Sequence, residues 1–134
     1  MRHLLLSALL AAGFAGGLQA QQIRTVPDLI TSQIDAFRAQ DFDTAFGYAS
    51  DSLRRMFGSP ENFGRMVAQG YPMVLDPADV RFLGLSERAG QQVQRVLIRD
   101  RAGRSYLLEY TLIGDGEALR IAAVRLLPDT GTGV

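Results

Sequence analysis

The stretch VRFLGLSERAGQQVQRVLIRDRAGRSYLLEYTLIGDGEALRIAAVRLL, residues 80–127, decides the fold. It holds four runs rich in Val, Ile, Leu, Tyr and Phe, namely VRFLGLSER, QVQRVLIRD, SYLLEYTLI and EALRIAAVRLL. The joins AGQ, RAG and GDG each bring a glycine able to take positive φ, the signal of a tight reversal. Links this short force antiparallel neighbours, because a parallel return needs about a dozen connecting residues or more. The expectation is a four-stranded antiparallel meander. In its third run Tyr106, Leu108, Tyr110 and Leu112 share one face, and Ser105, Leu107, Glu109, Thr111 and Ile113 share the other. Both faces carry large apolar groups, whereas a sheet covered on one side alone leaves the second side wetter. Either the sheet curls around an interior, or its outer face meets another subunit.

Upstream the period is helical. In TVPDLITSQIDAFRAQ, Val26, Leu29, Ile30, Ile34 and Phe37 form one apolar stripe, with Gln33, Asp35 and Arg38 mostly outside it. Thr25 is positioned as N-cap and Pro27 falls in a first turn whose amides need no partner. Asp41 caps a short second helix carrying Phe42, Ala45, Phe46 and Ala49. Ser50 caps a third, with Leu53, Met56 and Phe57 inward and Gly58 at its end. Ser59, Pro60 and Glu61 open a fourth, from Pro60 to Gln69, with Gly70 as terminator and Phe63, Met66 and Val67 on one side. Gly64 stands out, since glycine inside a helix costs roughly 0.5–1 kcal/mol relative to alanine. It implies that a backbone or a ligand passes close by. Helices first and an antiparallel sheet after make an α+β domain, with the helices on one sheet face.

Before the helices, Arg2 and His3, the apolar run LLLSALLAAGFAGGL and Ala20 read as a cleavable export signal over residues 1–20. A membrane anchor needs about 20 predominantly apolar residues, and this run, broken by Gly13, Gly16 and Gly17, falls short. The chain has no cysteine to carry a lipid or form a disulfide. Residues 21–127 are expected as one domain, residues 128–134 as a flexible tail, and the location as periplasmic or secreted, with no membrane association after cleavage. Without Arg2 the chain from Gln21 carries 13 arginines and 14 acidic residues, a formal charge of −1, which argues against a nucleic-acid partner. The one histidine is His3, and there is no lysine. Histidine bases, thiol nucleophiles, Schiff-base lysines and ordinary zinc sites are thereby excluded from the processed chain. No cofactor is expected.

The strings IDAFRAQDFDTAFGYAS, FGSPENFGRMVAQGYPMV and ADVRFL resemble an uncharacterised bacterial family of exported proteins, the domain-of-unknown-function family numbered 4864. The likeness spans about Ile30 to Leu127. That family is similar in turn to the nuclear-transport-factor-two-like (SnoaL-like) superfamily, which implies a bent antiparallel sheet wrapping an N-terminal helix into a cone with an internal pocket. Its members include isomerases, cyclases, dehydratases and non-catalytic binding or dimerisation modules, so fold does not choose the function.

Three functions follow as alternatives. The first is a binding module for a small apolar ligand, with Tyr48, Asn62, Phe63, Met66, Tyr71 and Met73 at the cone mouth. Another is a proton-transfer enzyme, isomerase- or cyclase-like, using a carboxylate and tyrosines in a dry pocket, the arrangement that ketosteroid isomerase exemplifies; Glu109 between two tyrosines, Tyr106 and Tyr110, together with Tyr48, Tyr71 and Asp79, are the available groups, at no identifying spacing. The preferred reading of Glu109 is a solvated side chain opposite Arg95, Arg99 or Arg125. The third is an interaction module, most simply a homodimer through the outer sheet face. Arg54 and Arg55 are adjacent on the third helix, where they could together hold an anionic partner; the preferred reading is that they are solvated. Non-catalytic binding of a ligand or a protein partner is preferred, with no catalytic or metal-ligating residues assigned.

Overall fold

The computed structural model describes residues 25–128. The expected leader and the tail beyond Pro128 lie outside the described residues. Among the described residues four helices come first: α1 (Val26–Arg38), α2 (Phe42–Gly47), α3 (Asp51–Phe57) and α4 (Pro60–Gly70). Each is started by a polar side chain that takes up an orphan amide. Thr25 accepts from Asp28 N, Asp41 from Thr44 N, Ser50 from Leu53 N and Ser59 from Asn62 N. A 3-10 turn, Pro72–Val74, then inserts Met73 and Val74 into the core.

The sheet follows as β1 (Asp79–Arg88), β2 (Gln91–Arg99), β3 (Ser105–Ile113) and β4 (Arg120–Leu126), antiparallel and in spatial order β1-β2-β3-β4. It is the meander that the alternating runs and short joins imply. The β1–β2 reversal uses Ala89 (φ 54°) and Gly90 (φ 80°), two consecutive positive-φ residues that match the twist of the strands they join. Val96 stands opposite Leu108 and Ile98 opposite Tyr106, so the apolar sets of β2 and β3 fall on the same face. Strand β1 is bulged between Phe82 and Leu85. The buried amide of Gln94 donates to the Leu83 carbonyl at 3.0 Å, satisfying backbone that the bulge leaves unpaired.

The sheet is open rather than closed into a barrel. Where β4 begins, Ser50 N donates to Ile121 O at 2.8 Å and Ile121 N to Tyr48 O at 2.9 Å. The link between α2 and α3 therefore runs beside β4 as a single parallel bridge, Ala49 to Ile121. This ties the helical layer to the far edge of the sheet.

Helix α1 lays Leu29, Ile30, Ile34 and Phe37 over Val96, Ile98, Leu108, Leu112 and Ile121, all buried in one cluster. Burying each such side chain stabilises by roughly 1.5–3 kcal/mol before chain entropy is subtracted. At the other end of the helical layer Phe63 is the hub of an aromatic group, with ring centroids 5.9 Å from Phe37, 5.4 Å from Phe46 and 5.8 Å from Phe57.

The close neighbour of Gly64 is a side chain rather than a backbone. A methyl added there would come within 3.0 to 3.3 Å of three ring carbons of Phe42. The glycine lets α2 press its aromatic ring flat against α4. Two expectations are corrected. Gln33 is buried at 4 % exposure, because α1 is covered on more of its circumference than its apolar stripe alone occupies. Met56 is 68 % exposed, because α3 spans only seven residues and turns Leu53 and Phe57, one turn apart, toward the interior instead.

Candidate functional site

Between α3, α4 and β4 lies a cavity of about 330 Å³. Phe63, Met66 and Val67 of α4 form one wall, and Leu53, Met56 and Phe57 of α3 another. Ile121, Ala122, Ala123 and Val124 of β4 form the floor. Ala122, the extra residue where the β4 register shifts, is small where a branched side chain would take up space. None of the α3 residues is fully buried, and exposed Met56 stands at the rim.

Three polar side chains interrupt this apolar lining: Gln33, Tyr71 and Tyr110. The Tyr71 hydroxyl donates to Val124 O at 3.0 Å and so pins the exit of α4 to β4. Gln33 Nε2 donates to Ala45 O at 3.1 Å, which leaves its carbonyl Oε1 with no donor among the described residues. Tyr110 is 1 % exposed, and no hydrogen bond to a described residue engages its hydroxyl. Burial alone pushes its pKa upward, so it remains a neutral phenol with a proton to donate. The cavity thus offers one carbonyl acceptor and one hydroxyl donor within apolar walls.

Of the six residues expected at a pocket mouth, Phe63, Met66 and Tyr71 line this cavity. Met73 lies in the core, brought there by the 3-10 turn. Asn62 is exposed and donates from Nδ2 to Phe57 O at 3.1 Å, joining α3 to α4. Tyr48 is half-buried at the end of α2, where its carbonyl accepts from Ile121. Gln33 was the polar group missed, and Tyr110 was noted only as a neighbour of Glu109, not as a pocket residue. A lone glutamine between Ile30 and Ile34 and the adjacent alanines of IAAV in a strand, where alanine is disfavoured, were the available signals.

Glu109 lies on the opposite side of the sheet. Its strand neighbours are Arg95 and Arg125, two of the three partners expected, but it is 2 % exposed rather than solvated. Arg125 Nε donates to Oε1 at 3.0 Å, while Arg95 Nε and Arg88 Nη2 approach Oε2 at 3.6 and 3.5 Å. The three long side chains cover the carboxylate and exclude water from it. Burial pushes its pKa up, but the Arg125 hydrogen bond and the close positive charges of Arg125 and Arg88 outweigh this, leaving it lowered. Asp79 pairs with Arg81 at 3.1 Å at the start of β1 and does not line the cavity. Arg54 is paired with Asp51 one turn away, so it and Arg55 do not act as a unit.

No curated protein and no solved structure matches the chain, so the wider likeness to the cone-shaped superfamily has no solved neighbour behind it. One family model does match, over residues 19–134, and on that match the chain belongs to the family described as Domain of unknown function (DUF4864).

Proposed function

We propose that this protein is an exported, non-catalytic binding module that holds one small, mainly apolar molecule in the cavity between α3, α4 and β4. The observation that carries the proposal is the lining itself. It is apolar apart from Gln33, Tyr71 and Tyr110, and two of these keep hydrogen-bonding capacity that no described residue uses. A ligand carrying a hydroxyl or carbonyl would engage both. The volume suits a small ligand, being at the lower end of the range of about 300–1,000 Å³ usual for such sites. Phe63, Met66 and Tyr71 supply one side of the lining, and Leu53, Met56 and Phe57 of α3 another.

A proton-transfer reaction would need a base beside the ligand. The carboxylate best placed by sequence, Glu109, points to the other face, and no acidic side chain lines the cavity among the described residues. Binding without chemistry is therefore the better-supported reading.

The test uses the small apolar fluorophore 1-aminoanthracene. Its emission should rise on entering the wild-type cavity, and the Leu53→Trp variant, which fills space from a half-buried position, should weaken binding at least about fivefold. Equal binding by both proteins would place the probe elsewhere and overturn the proposal. Native mass spectrometry of protein isolated from its own cells would then identify the natural ligand.

A further inference from the structure

The outer face of the sheet presents a different chemistry from the cavity. By the strand register, Arg81, Arg88, Arg95, Arg99, Arg120 and Arg125 project on this face, and Asp79 and Glu109 are the acidic strand residues that project with them. The helical side has the reverse balance, since residues 26–78 hold four arginines and seven acidic residues. A chain with zero formal charge is thus divided into an arginine-rich sheet face and an acidic helical layer.

At the centre of the sheet face three guanidinium groups converge on one buried carboxylate. Glu109 accepts only one hydrogen bond, from Arg125, and its Oε2 is buried with no hydrogen-bond partner. Arg88 and Arg95 each reach toward Oε2 through a single nitrogen at 3.5 and 3.6 Å. Each guanidinium has five N–H donors, so most of those in the cluster remain uncommitted. The three side chains stay accessible, at 60 %, 52 % and 62 % exposure for Arg88, Arg95 and Arg125. Glu109 gathers the arginines and sets their stems, yet neutralises only one of three charges. Forked donors held in this way match carboxylate groups, which they can bind through two parallel hydrogen bonds.

We propose that this cluster is the centre of a docking surface for an acidic, extended segment of another protein, whose carboxylates bind Arg88, Arg95 and Arg125. Three features select that occupant. The arginines line none of the described cavities and stand on an open sheet face, where a free small anion would keep its hydration and gain little. Leu97 and Leu107, paired across β2 and β3 directly beside Arg95 and Glu109, are half-buried, so aliphatic contacts alternate with the charges. A second copy laid face to face would bring one arginine-rich surface against another, while docking the sheet of one copy on the acidic helices of the next would be a head-to-tail contact, which forms rings or filaments rather than a two-fold dimer. The fitting partner is therefore a different chain carrying the complementary charge.

The test measures fluorescence anisotropy with labelled poly-L-glutamate of about 20 residues and the full chain, at about 20 mM NaCl where exposed charges are weakly screened. The proposal expects saturable binding that weakens at least about fivefold by about 200 mM salt. Substituting both Arg88→Gln and Arg95→Gln should weaken it at least about tenfold, and Arg55→Gln, on exposed α3, should change it by less than about twofold. Both sheet arginines are more than half exposed, so the double variant is expected to fold, as its circular dichroism would verify. Absent binding, or equal loss in the Arg55 variant, overturns the proposal. So does competition by millimolar acetate as effective as the polymer's own binding, which would mean a small-anion site. Arginine-dependent binding to phosphatidylglycerol vesicles with none to poly-L-glutamate would replace it with a membrane surface, and an arginine-dependent dimer would replace it with self-association.

Discussion

Replacing Glu109 with glutamine removes a charge at almost constant volume, and its cost separates a buried anchor from a solvated pair. In the folded protein the carboxylate is 2 % exposed and lies 3.0 Å from Arg125 Nε, with Arg88 and Arg95 within 3.6 Å. Exposed ion pairs contribute about 0–1 kcal/mol, while removing one partner of a fully buried pair costs about 3–5 kcal/mol. Here one partner is buried and three are more than half exposed, which places Glu109→Gln at about 2 kcal/mol of destabilisation after screening is allowed for. For a domain of about 100 residues that corresponds to a melting temperature lower by about 10 °C. The pH dependence supplies the second readout. Because the folded pKa is lowered from its usual value of 4.5, the unfolded chain binds the proton more readily. The charged form's contribution is complete above that value and is lost as pH falls through the folded pKa. Thermal melts followed by circular dichroism at about pH 7 should therefore show the full difference between wild type and variant, and melts near about pH 3 should show it shrinking. Melting temperatures within about 1 °C of each other at about pH 7 would refute the reasoning, since that is the behaviour of a solvated side chain.

Two further outcomes follow from the helical layer. Helix α3 buries none of its residues fully, so its amides should exchange with solvent far faster than those of β2 and β3, and a cavity ligand should slow them; hydrogen exchange by mass spectrometry checks this, and α3 protection equal to the central strands would contradict it. At Gly64, valine would drive a branched side chain into the Phe42 ring and lower stability by about 1–3 kcal/mol. Alanine would displace the ring slightly while recovering up to about 1 kcal/mol of helix preference, so its net effect in urea unfolding should be small. A valine variant as stable as wild type would show that the ring contact does not constrain the site.

The elements that were legible in the sequence are those whose signals are local. Four cap residues, Thr25, Asp41, Ser50 and Ser59, announced four helix starts, and the strand order followed from joins too short for any parallel return. What stayed hidden depends on contacts distant in sequence. Gln33 reads as a polar residue beside an apolar stripe until Ala45 is folded against it. Met56 obeys helical spacing, but a helix of two turns can rotate enough to expose any one position. Gly64 signalled a close approach correctly and could not say that the approaching group was Phe42. Glu109 gave its pairing through the register with Arg95 and Arg125, while its burial needed Arg88 to arrive across the hairpin from β1.

Tyr110 and Glu109 are consecutive, and the two candidate surfaces meet in that fact. Side chains of a strand alternate between faces, so Tyr110 joins the apolar cavity while Glu109 holds the arginines on the far side, separated only by the thickness of β3. Both apolar faces seen in the sequence are thereby accounted for differently: Tyr106, Leu108, Tyr110 and Leu112 pack toward the helices, and Leu107 stands beside a charge cluster instead of a second core. A slip of β3 by one residue would place Glu109 among Leu29, Ile34 and Phe37 and turn Tyr110 out among arginines. The cost of burying an unpaired carboxylate in that core forbids the slip. The arginine cluster thus has a structural consequence whether or not a partner is present, because it makes one register of the central strand far more stable than its neighbours. The uncommitted guanidinium donors are more than register alone requires, since a single arginine beside Glu109 would already reward the correct alignment. That excess of donors is what the docking experiment addresses.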